Sequence, residues 1–176
     1  LWALCILVIL SACTQSQPQK VDVSVHFIDV GLGDSIFIDT QGKDVLIDAG
    51  NCGQGGKVVA YLKSINVTGI DLVVASHHDR DHICGLISVL QNFDVGEVWD
   101  KGSQRNEETQ TFLRYLEHAS KKNLAVVGRG DYAELDDGVR LHVLSPVQPL
   151  KNSSENDNSI VLKLIAGNTR FLFTGD

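Results

Sequence analysis

Apolar and polar positions follow short repeating patterns from residue 21 onward. The segment 21–30 alternates the two kinds of residue with the two-residue period of a half-buried strand. Segments 35–40 and 44–50 are also strand-like, and glycine-containing turns separate the three. The first strand is predicted to bury the side that comprises Val21, Val23, Val25 and Phe27.

Helical spacing replaces this alternation in later segments. The segment 106–122 is the clearest helix, because acidic residues open it, lysines close it and apolar residues recur at helical spacing. Two further helices are predicted at 57–65 and 85–93, and a polar loop at 146–157. The remaining strands are predicted at 70–77, 96–100, 124–128, 139–145, 159–167 and 170–176, with a hairpin turn at Gly167 and Asn168. Strands in series with interspersed helices predict one α/β domain of the α+β kind, a mixed sheet covered by helices.

The beginning of the chain has a composition unlike that of a folded domain. Its first ten residues are apolar, but crossing a bilayer takes about 20 such residues. The next residues complete Leu-Ser-Ala-Cys, which resembles a bacterial lipobox whose cysteine is lipidated. We therefore expect a signal peptide at 1–13 with lipidation at Cys13, a polar tether at 14–20, and a folded domain at 21–176. This predicts a membrane-anchored, extracytoplasmic bacterial lipoprotein, with a secreted protein or the end of a membrane helix as the alternatives.

Charge and cysteine content narrow the function classes. The 176 residues carry a formal net charge of −7, which argues against a generally basic nucleic-acid-binding surface. A bound dication would still attract phosphate locally. Of the four cysteines, Cys5 and Cys13 belong to the predicted signal, so Cys52 and Cys84 are the pair left to bond. We expect these two to be free buried thiols, with a disulfide or an accessory metal contact as the alternatives.

Three histidines and two aspartates crowd into residues 75–82, ASHHDRDH, directly after an apolar strand. On a turn that leaves a strand, alternate residues can point the same way, which brings potential ligands together. A buried group of this kind without metal would carry heavy like-charge and desolvation costs. The alternative is a solvated polar turn, but the flanking strand and helix and a second acidic turn at 174–176 favour metal binding. The predicted ligands in this stretch are His77, Asp79, Asp81 and His82.

The spacing H-x-D-x-D-H resembles the H-x-H-x-D-H signature of the metallo-β-lactamase superfamily, with Asp79 in place of the second histidine. Together with VHFIDVGLGDSIFI, VLIDAG, NSIVLKL and FLFTGD, it is most similar to the hydrolase domain of ComEC-type competence proteins. The resemblance runs from about Val21 to Asp176, with Leu32 replacing a usual glutamine and Cys84 a usual glycine. It implies an αββα sandwich.

The resemblance also implies a ligand set. Its members are His77 and Asp79 for one ion, Asp81 and His82 for the other, and Asp176 as the bridge between them. The superfamily's intermediate histidine has no counterpart here, and Glu155 or Asp157 could substitute for it, unless both belong to a solvated loop. Relatives have a final histidine beyond the position of the bridging aspartate, so we expect the domain to be C-terminally incomplete in this chain.

Other polar residues near these motifs are expected to have supporting roles. Asp48 is expected to orient residues 75–82, the metal loop, by hydrogen bonds rather than to bind metal. The turn of Gly31, Gly33 and Asp34 is expected to be structural, with lining of the cleft as the alternative. His78 should point away from the metals, while its neighbour Arg80 could touch an anionic substrate. The histidines expected to be structural are His26, His118 and His142.

The function that the resemblance implies is hydrolysis by a water activated between two divalent ions, Zn²⁺ or Mn²⁺. Asp81, as the catalytic residue, or Asp176 would orient that water. The first hypothesis is a phosphodiesterase or nuclease in competence-related DNA processing, which would act on DNA or a small phosphoester. The alternatives are an extracytoplasmic hydrolase of a small ester, lactone or amide, and a non-catalytic metal-binding surface module. The expected membrane contact is the lipid anchor, and no protein partner is predicted.

Overall fold

The computed structural model describes residues 21–103, 109–150 and 154–176. The predicted signal peptide, the lipidation site Cys13 and the tether lie outside the described residues. The strands are β1 (Val23–Phe27), β2 (Ile36–Thr40), β3 (Val45–Ile47), β4 (Gly69–Val74), β5 (Asp94–Asp100), β6 (Asn123–Val126), β7 (Tyr132–Asp136), β8 (Val139–Ser145), β9 (Val161–Ala166) and β10 (Thr169–Phe173). The helices are α1 (Gly55–Ser64), α2 (Arg80–Asn92) and α3 (Gln110–Ala119), and a short 3₁₀ turn spans Asn156–Asn158.

Two sheets and a helix layer make up the fold. The first sheet has the order β1-β2-β3-β4-β5-β6, antiparallel from β1 to β3 and parallel from β3 to β6. The second sheet, β10-β9-β8-β7, is antiparallel throughout. The three helices pack on one face of the first sheet, and the second sheet covers its other face. The predicted mixed α/β architecture with a sheet sandwich is confirmed.

The central strands are apolar on both sides because both of their faces are covered. In β4, Val73 points into the core beneath the helices, whereas Leu72 and Val74 point into the core between the sheets. This double burial explains the uninterrupted apolar run that ends at the histidine cluster. The cluster therefore begins at the carboxyl end of a buried parallel strand. Within the part of the chain that the structure describes, no helix is both long enough and apolar enough to span a bilayer.

The first strand buries its residues differently from the prediction. Val23 and Val25 pack against the second sheet, but Phe27 is 69% exposed. On the opposite side, the His26 imidazole reaches the helix layer and contacts the Tyr61 hydroxyl at 2.8 Å. Strand β1 is the edge of its sheet, and the cover provided by the second sheet ends at Val25. The prediction that Phe27 is buried is therefore wrong.

Element boundaries also differ from the sequence predictions. Helix α2 begins at Arg80 rather than at residue 85, so its first turn contains part of the histidine cluster. Helix α3 begins after Thr109, whose hydroxyl accepts a hydrogen bond from the Phe112 amide at 3.1 Å. Its predicted start at 106 falls outside the described residues. Strand β7 was not predicted, because its alternation is short and rests on two apolar residues, Ala133 and Leu135, which flank Glu134.

A disulfide joins Cys52 to Cys84, whose Cα atoms lie 4.6 Å apart. The expectation of two free thiols is therefore wrong. The bond links the loop after β3 to α2 at a place where the two backbones already touch. The Gly85 amide donates to the Gly50 carbonyl at 2.9 Å, and a Cβ on Gly85 would collide with the backbone oxygen of Ala49. Only this close approach, set by tertiary packing, brings the two cysteines within bonding distance.

Candidate metal centre

The candidate site lies at one edge of the sandwich, where strands β4 and β10 end and helix α2 begins. His77 follows strand β4, His82 lies in the first turn of α2, and Asp176 follows strand β10. Ligand atoms of these three side chains lie within 4.8 Å of one another. The rings of His77 and His82 have centroids 4.1 Å apart, and both residues are buried. Asp176 is 43% exposed, so the cluster opens to solvent on the side of this carboxylate.

The two histidines each present an unsatisfied nitrogen to this cluster. His77 Nε2 and His82 Nε2 are buried, and neither has a hydrogen-bond partner among the residues that the structure describes. Instead they face carboxylate oxygens, at 3.5 Å from Asp79 Oδ2 and at 3.3 Å from Asp176 Oδ1. Buried polar atoms without partners are rare and costly in folded proteins. Imidazole nitrogens and carboxylate oxygens are ligands for divalent transition metals, so the residues present fit a metal ion.

Asp48 fixes the orientation of both histidines from below. Its buried carboxylate accepts hydrogen bonds from the Ser76 amide at 2.8 Å and the Ser76 hydroxyl at 2.5 Å. It also lies 2.9 Å from His82 Nδ1, while the Ser76 oxygen lies 3.0 Å from His77 Nδ1. An ionised carboxylate has no proton to donate, so His82 Nδ1 is the donor. The Ser76 hydroxyl donates its one proton to Asp48, so toward His77 Nδ1 it can only accept. Both Nε2 atoms are thereby left with their lone pairs for a metal when the rings are neutral.

The same contacts set the proton affinities of the two rings. Burial lowers the pKa of His82, but the hydrogen bond and charge of Asp48, together with the charge of Asp176, raise it to about 9. Burial and the neighbouring His82 lower the pKa of His77. In the metal-free protein near neutral pH, His82 is therefore a cation with a proton on both ring nitrogens, whereas His77 is neutral and carries its one proton on Nδ1. A metal that binds His82 Nε2 displaces the proton on that atom.

The two aspartates of the histidine motif lie at the rim of this cluster. Asp79 is the residue before α2, and its carbonyl accepts from the His82 amide at 3.0 Å. Its side chain is 45% exposed and approaches His77. Asp81 lies in the first turn of α2, and its backbone oxygen would collide with a Cβ on Gly33, which has a positive φ of 88°. Neither carboxylate belongs to the tight group of three ligand atoms.

The sequence between Ile28 and Asp176 matches the family model of the metallo-beta-lactamase superfamily. The chain belongs to this superfamily. It is 30% identical over 173 residues to ComE operon protein 3 of Bacillus subtilis, covering 86% of this chain and 22% of that protein. It is also 41% identical over 56 residues to a ribonuclease Z of Clostridioides difficile, covering 32% of this chain and 17% of that protein. The chain thus spans less than a quarter of the length of either relative.

Solved structures agree on the fold. The metallo-beta-lactamase of Cronobacter sakazakii with the HARLDQ motif superposes with a TM-score of 0.62 at 13% identity, covering 85% of this chain and 55% of that protein. At this identity the likeness bears on the fold alone. Membership of a hydrolase superfamily whose fold implies divalent metal ions agrees with the donor set of His77, His82 and Asp176.

Two further residues proposed as substitutes for the superfamily's intermediate histidine lie outside the cluster of ligand atoms. Glu155 accepts from the His78 amide at 3.2 Å and pairs with Lys101 Nζ at 3.1 Å. Asp157 is exposed and accepts from the Ser154 amide at 3.2 Å, which closes its own loop. The structure therefore directs both carboxylates to protein groups rather than to the ligand cluster.

Asp34 is a site residue that the sequence indicated only weakly. It is half-buried, and burial followed by the charge of Asp48 raises its pKa, while the charge of His82 lowers it. These influences show that its carboxyl lies within electrostatic reach of Asp48, His82, His77 and Asp176. Its carbonyl accepts from the Gly50 amide at 3.0 Å, which ties the turn to the loop that follows β3. Its position in the sequence, directly after the glycine turn, was the only signal available.

Proposed function

We propose that this superfamily member is a metal-dependent phosphodiesterase that cleaves nucleic acid. The observation that supports the proposal best is the pair of buried, unsatisfied Nε2 atoms of His77 and His82 beside the Asp176 carboxylate, at an edge open to solvent. The similarity to a ribonuclease Z supports a nucleic-acid substrate, and so does the resemblance of the sequence motifs to ComEC-type competence proteins.

The chain's own residues divide the work between binding and orientation. His77, His82 and Asp176 would hold divalent metal, with Asp79 and Asp81 beside them. When bound, such ions supply a water that ionises near neutral pH and neutralise negative charge that develops on a phosphate. The hydrogen bonds described above keep both imidazoles oriented with Nε2 toward the cluster.

Charge near the centre bears on how an anionic substrate would bind. The chain has a net charge of −7, and Asp79 and Asp176 are partly exposed at the rim. Without metal these carboxylates repel phosphate. Arg80, exposed at the first residue of α2, is a cation close to the rim. Binding of a phosphodiester is therefore expected to require metal, with Arg80 adding a contact to a phosphate oxygen.

A cleavage assay tests this proposal. The full chain is incubated with single-stranded DNA or RNA and Mn²⁺ or Zn²⁺, and products are separated on a denaturing gel. We expect cleavage that EDTA abolishes, and that His82→Ala and Asp81→Ala reduce strongly. His118→Ala is the matched histidine control, because His118 lies on α3, outside the cluster of ligand atoms, with its Nε2 3.2 Å from the side-chain nitrogen of Gln91. Absence of cleavage with either metal, or equal cleavage by the His82 and His118 variants, would contradict the proposal.

A second candidate is hydrolysis of a small ester, lactone or amide. The acidic rim favours it, since a small neutral substrate avoids the repulsion that a polyanion meets. A panel of chromogenic phosphodiesters, esters, lactones and amides, assayed with the same His82 and His118 variants, separates the two candidates. Retention of no metal at all would instead favour a non-catalytic module.

We also propose that the protein works outside the cytoplasm. The Cys52–Cys84 disulfide supports this location, because structural disulfides persist in oxidising compartments and are rare in the cytosol. Fractionation of cells, with and without Cys13→Ser, measures both location and membrane attachment. Recovery of the wild-type protein in the cytosol with reduced cysteines would contradict the proposal.

A further inference from the structure

A second buried polar network contacts the metal loop, with different partners from those that Asp48 provides. Its centre is His78, which stands between the ligand His77 and its neighbour Asp79 and turns its ring away from them. The ring is packed 4.5 Å from the Phe112 ring, and its Nε2 lies 3.0 Å from each carboxylate oxygen of Asp100. His78 and Asp100 are both buried.

Two further donors hold Asp100, one from helix α3 and one from the segment directly after β5. Its carboxylate accepts hydrogen bonds from the Tyr115 hydroxyl at 2.8 Å and from the Gly102 amide at 2.7 Å. Burial alone would raise the pKa of Asp100, but the hydrogen bond from His78 and these two donors lower it below its ordinary value. The carboxylate therefore stays ionised in the core and fixes the His78 ring against strand β5 and helix α3.

A second anchor acts on the backbone of the same residue. Glu155 accepts from the His78 amide at 3.2 Å, and its carboxylate lies 3.1 Å from the Nζ of Lys101. The Lys101 side chain is completely buried, an expensive place for an ammonium group unless it is paired. Because Glu155 precedes the turn that leads into β9, its bond to the His78 amide connects that loop to the metal loop, and its pair with Lys101 connects the loop to the end of β5.

We propose that Glu155 and Asp100 are positioning residues that set the geometry of the metal ligands through His78. Asp100 holds the His78 ring, and Glu155 holds its amide. His78 is joined by peptide bonds to His77 on one side and to Asp79 on the other. Fixing its ring and its amide therefore restricts the positions of both neighbours. The Asp48 contacts hold the loop at Ser76 and His82, and this network holds it at His78. The inference rests on the metal centre of the proposed function, but its readout is zinc binding in the absence of any substrate.

The test distinguishes two roles of Glu155: accepting a hydrogen bond from the His78 amide, and neutralising the charge of Lys101. Glu155→Ala with Lys101→Met removes both members of the ion pair, so no unpaired buried ammonium remains, but it leaves the His78 amide without its acceptor. Glu155→Gln with Lys101→Met also removes both charges, but it keeps a side-chain oxygen that can accept from that amide. Glu117→Ala is the control, since Glu117 belongs to an exposed ion pair on α3. Each full chain is titrated with Zn²⁺ against a chromogenic chelator, and with Co²⁺ to record its d–d absorption.

We expect the Glu155→Ala double variant to bind Zn²⁺ about 10-fold more weakly or worse, the size of effect typical for groups that orient metal ligands. Its Co²⁺ spectrum should also change, whereas Glu155→Gln with Lys101→Met and the control retain the wild-type affinity and spectrum. Wild-type zinc affinity in the Glu155→Ala double variant, or an equal loss in Glu155→Gln with Lys101→Met, would overturn the proposal.

If the Glu155→Ala double variant does not fold, Tyr115→Phe provides the answer from the other anchor. It removes a single hydroxyl that donates to Asp100. A weaker Zn²⁺ affinity with a changed Co²⁺ spectrum supports positioning, and an unchanged affinity overturns it. Loss of zinc affinity in these variants would stand even if the wild-type chain cleaved no nucleic acid, so this inference and the proposed function fail separately.

Discussion

Removal of the Cys52–Cys84 disulfide should destabilise the protein by an amount that follows from the chain it closes. The two cysteines are 32 residues apart in the sequence. In the chain-entropy model, cross-linking a loop of that length lowers the entropy of the unfolded chain and stabilises the fold by roughly 3.7 kcal/mol at 25 °C. For a domain of this size, the loss corresponds to a fall in Tm of roughly 7–15 °C.

The variant Cys52→Ser is the appropriate perturbation, because Cys52 is exposed and a serine there creates no buried unsatisfied hydroxyl. Cys84→Ala breaks the same bond from the buried partner and adds a small loss of packing. Urea unfolding followed by circular dichroism measures the free energy of unfolding of each variant. The wild type is measured with and without a reductant.

The expected pattern is a loss of similar size in both variants and in the reduced wild type, with no further effect of reductant on the variants. A wild-type free energy of unfolding that reductant leaves unchanged would refute the reasoning. A loss in Cys84→Ala without one in Cys52→Ser would instead assign the effect to packing around the buried cysteine.

Three other predictions concern single side chains around the same centre. Asp48→Asn should weaken Zn²⁺ binding by about 10–100-fold, and should lower the pKa of His82 from about 9 in an NMR titration of the metal-free protein; an unchanged affinity would contradict this role. The pKa of Asp100 is depressed below 3.8, so its ionised form stabilises the fold above that pH and the contribution is lost as the pH falls further. Asp100→Asn should therefore lose less stability than the wild type between pH 4 and more acidic conditions in urea titrations, and parallel curves would count against it. Gly85→Ala should destabilise the fold by about 1–3 kcal/mol, because its Cβ meets backbone, whereas Gly53→Ala, with open space at that position, should not; equal Tm values would show that the backbone can relax.

The strongest local patterns predicted secondary structure correctly where burial has a simple geometry. Strand β4 is apolar on both faces, and helix α3 has a clear apolar stripe, so both were found from composition and spacing. Phe27 was misplaced because period-two alternation does not tell where the covering sheet ends. The start of helix α2 was predicted five residues too late, because its first turn contains polar, potentially metal-binding residues that interrupt the helical pattern of apolar positions.

The polar residues show a similar division. The spacing of His77 and His82 pointed to a metal site, and the structure brings these two side chains together with Asp176. The contacts of Glu155 with His78 and Lys101 could not be foreseen, since their partners are 77 and 54 residues away along the chain. Sequence spacing carries no information about such distant pairs.

By itself, the sequence determined the kinds of elements, the family and the chemistry of the candidate ligands, because those depend on residue types at short spacing. Tertiary structure decided which donors converge, which carboxylates are drawn to protein partners instead, and that Cys52 and Cys84 meet. It also showed that His78, which the sequence analysis placed outside the ligand set, is held by a buried carboxylate. The physical reason is that burial and hydrogen bonding depend on contacts between elements far apart in the chain, and those contacts exist only once the layers have packed.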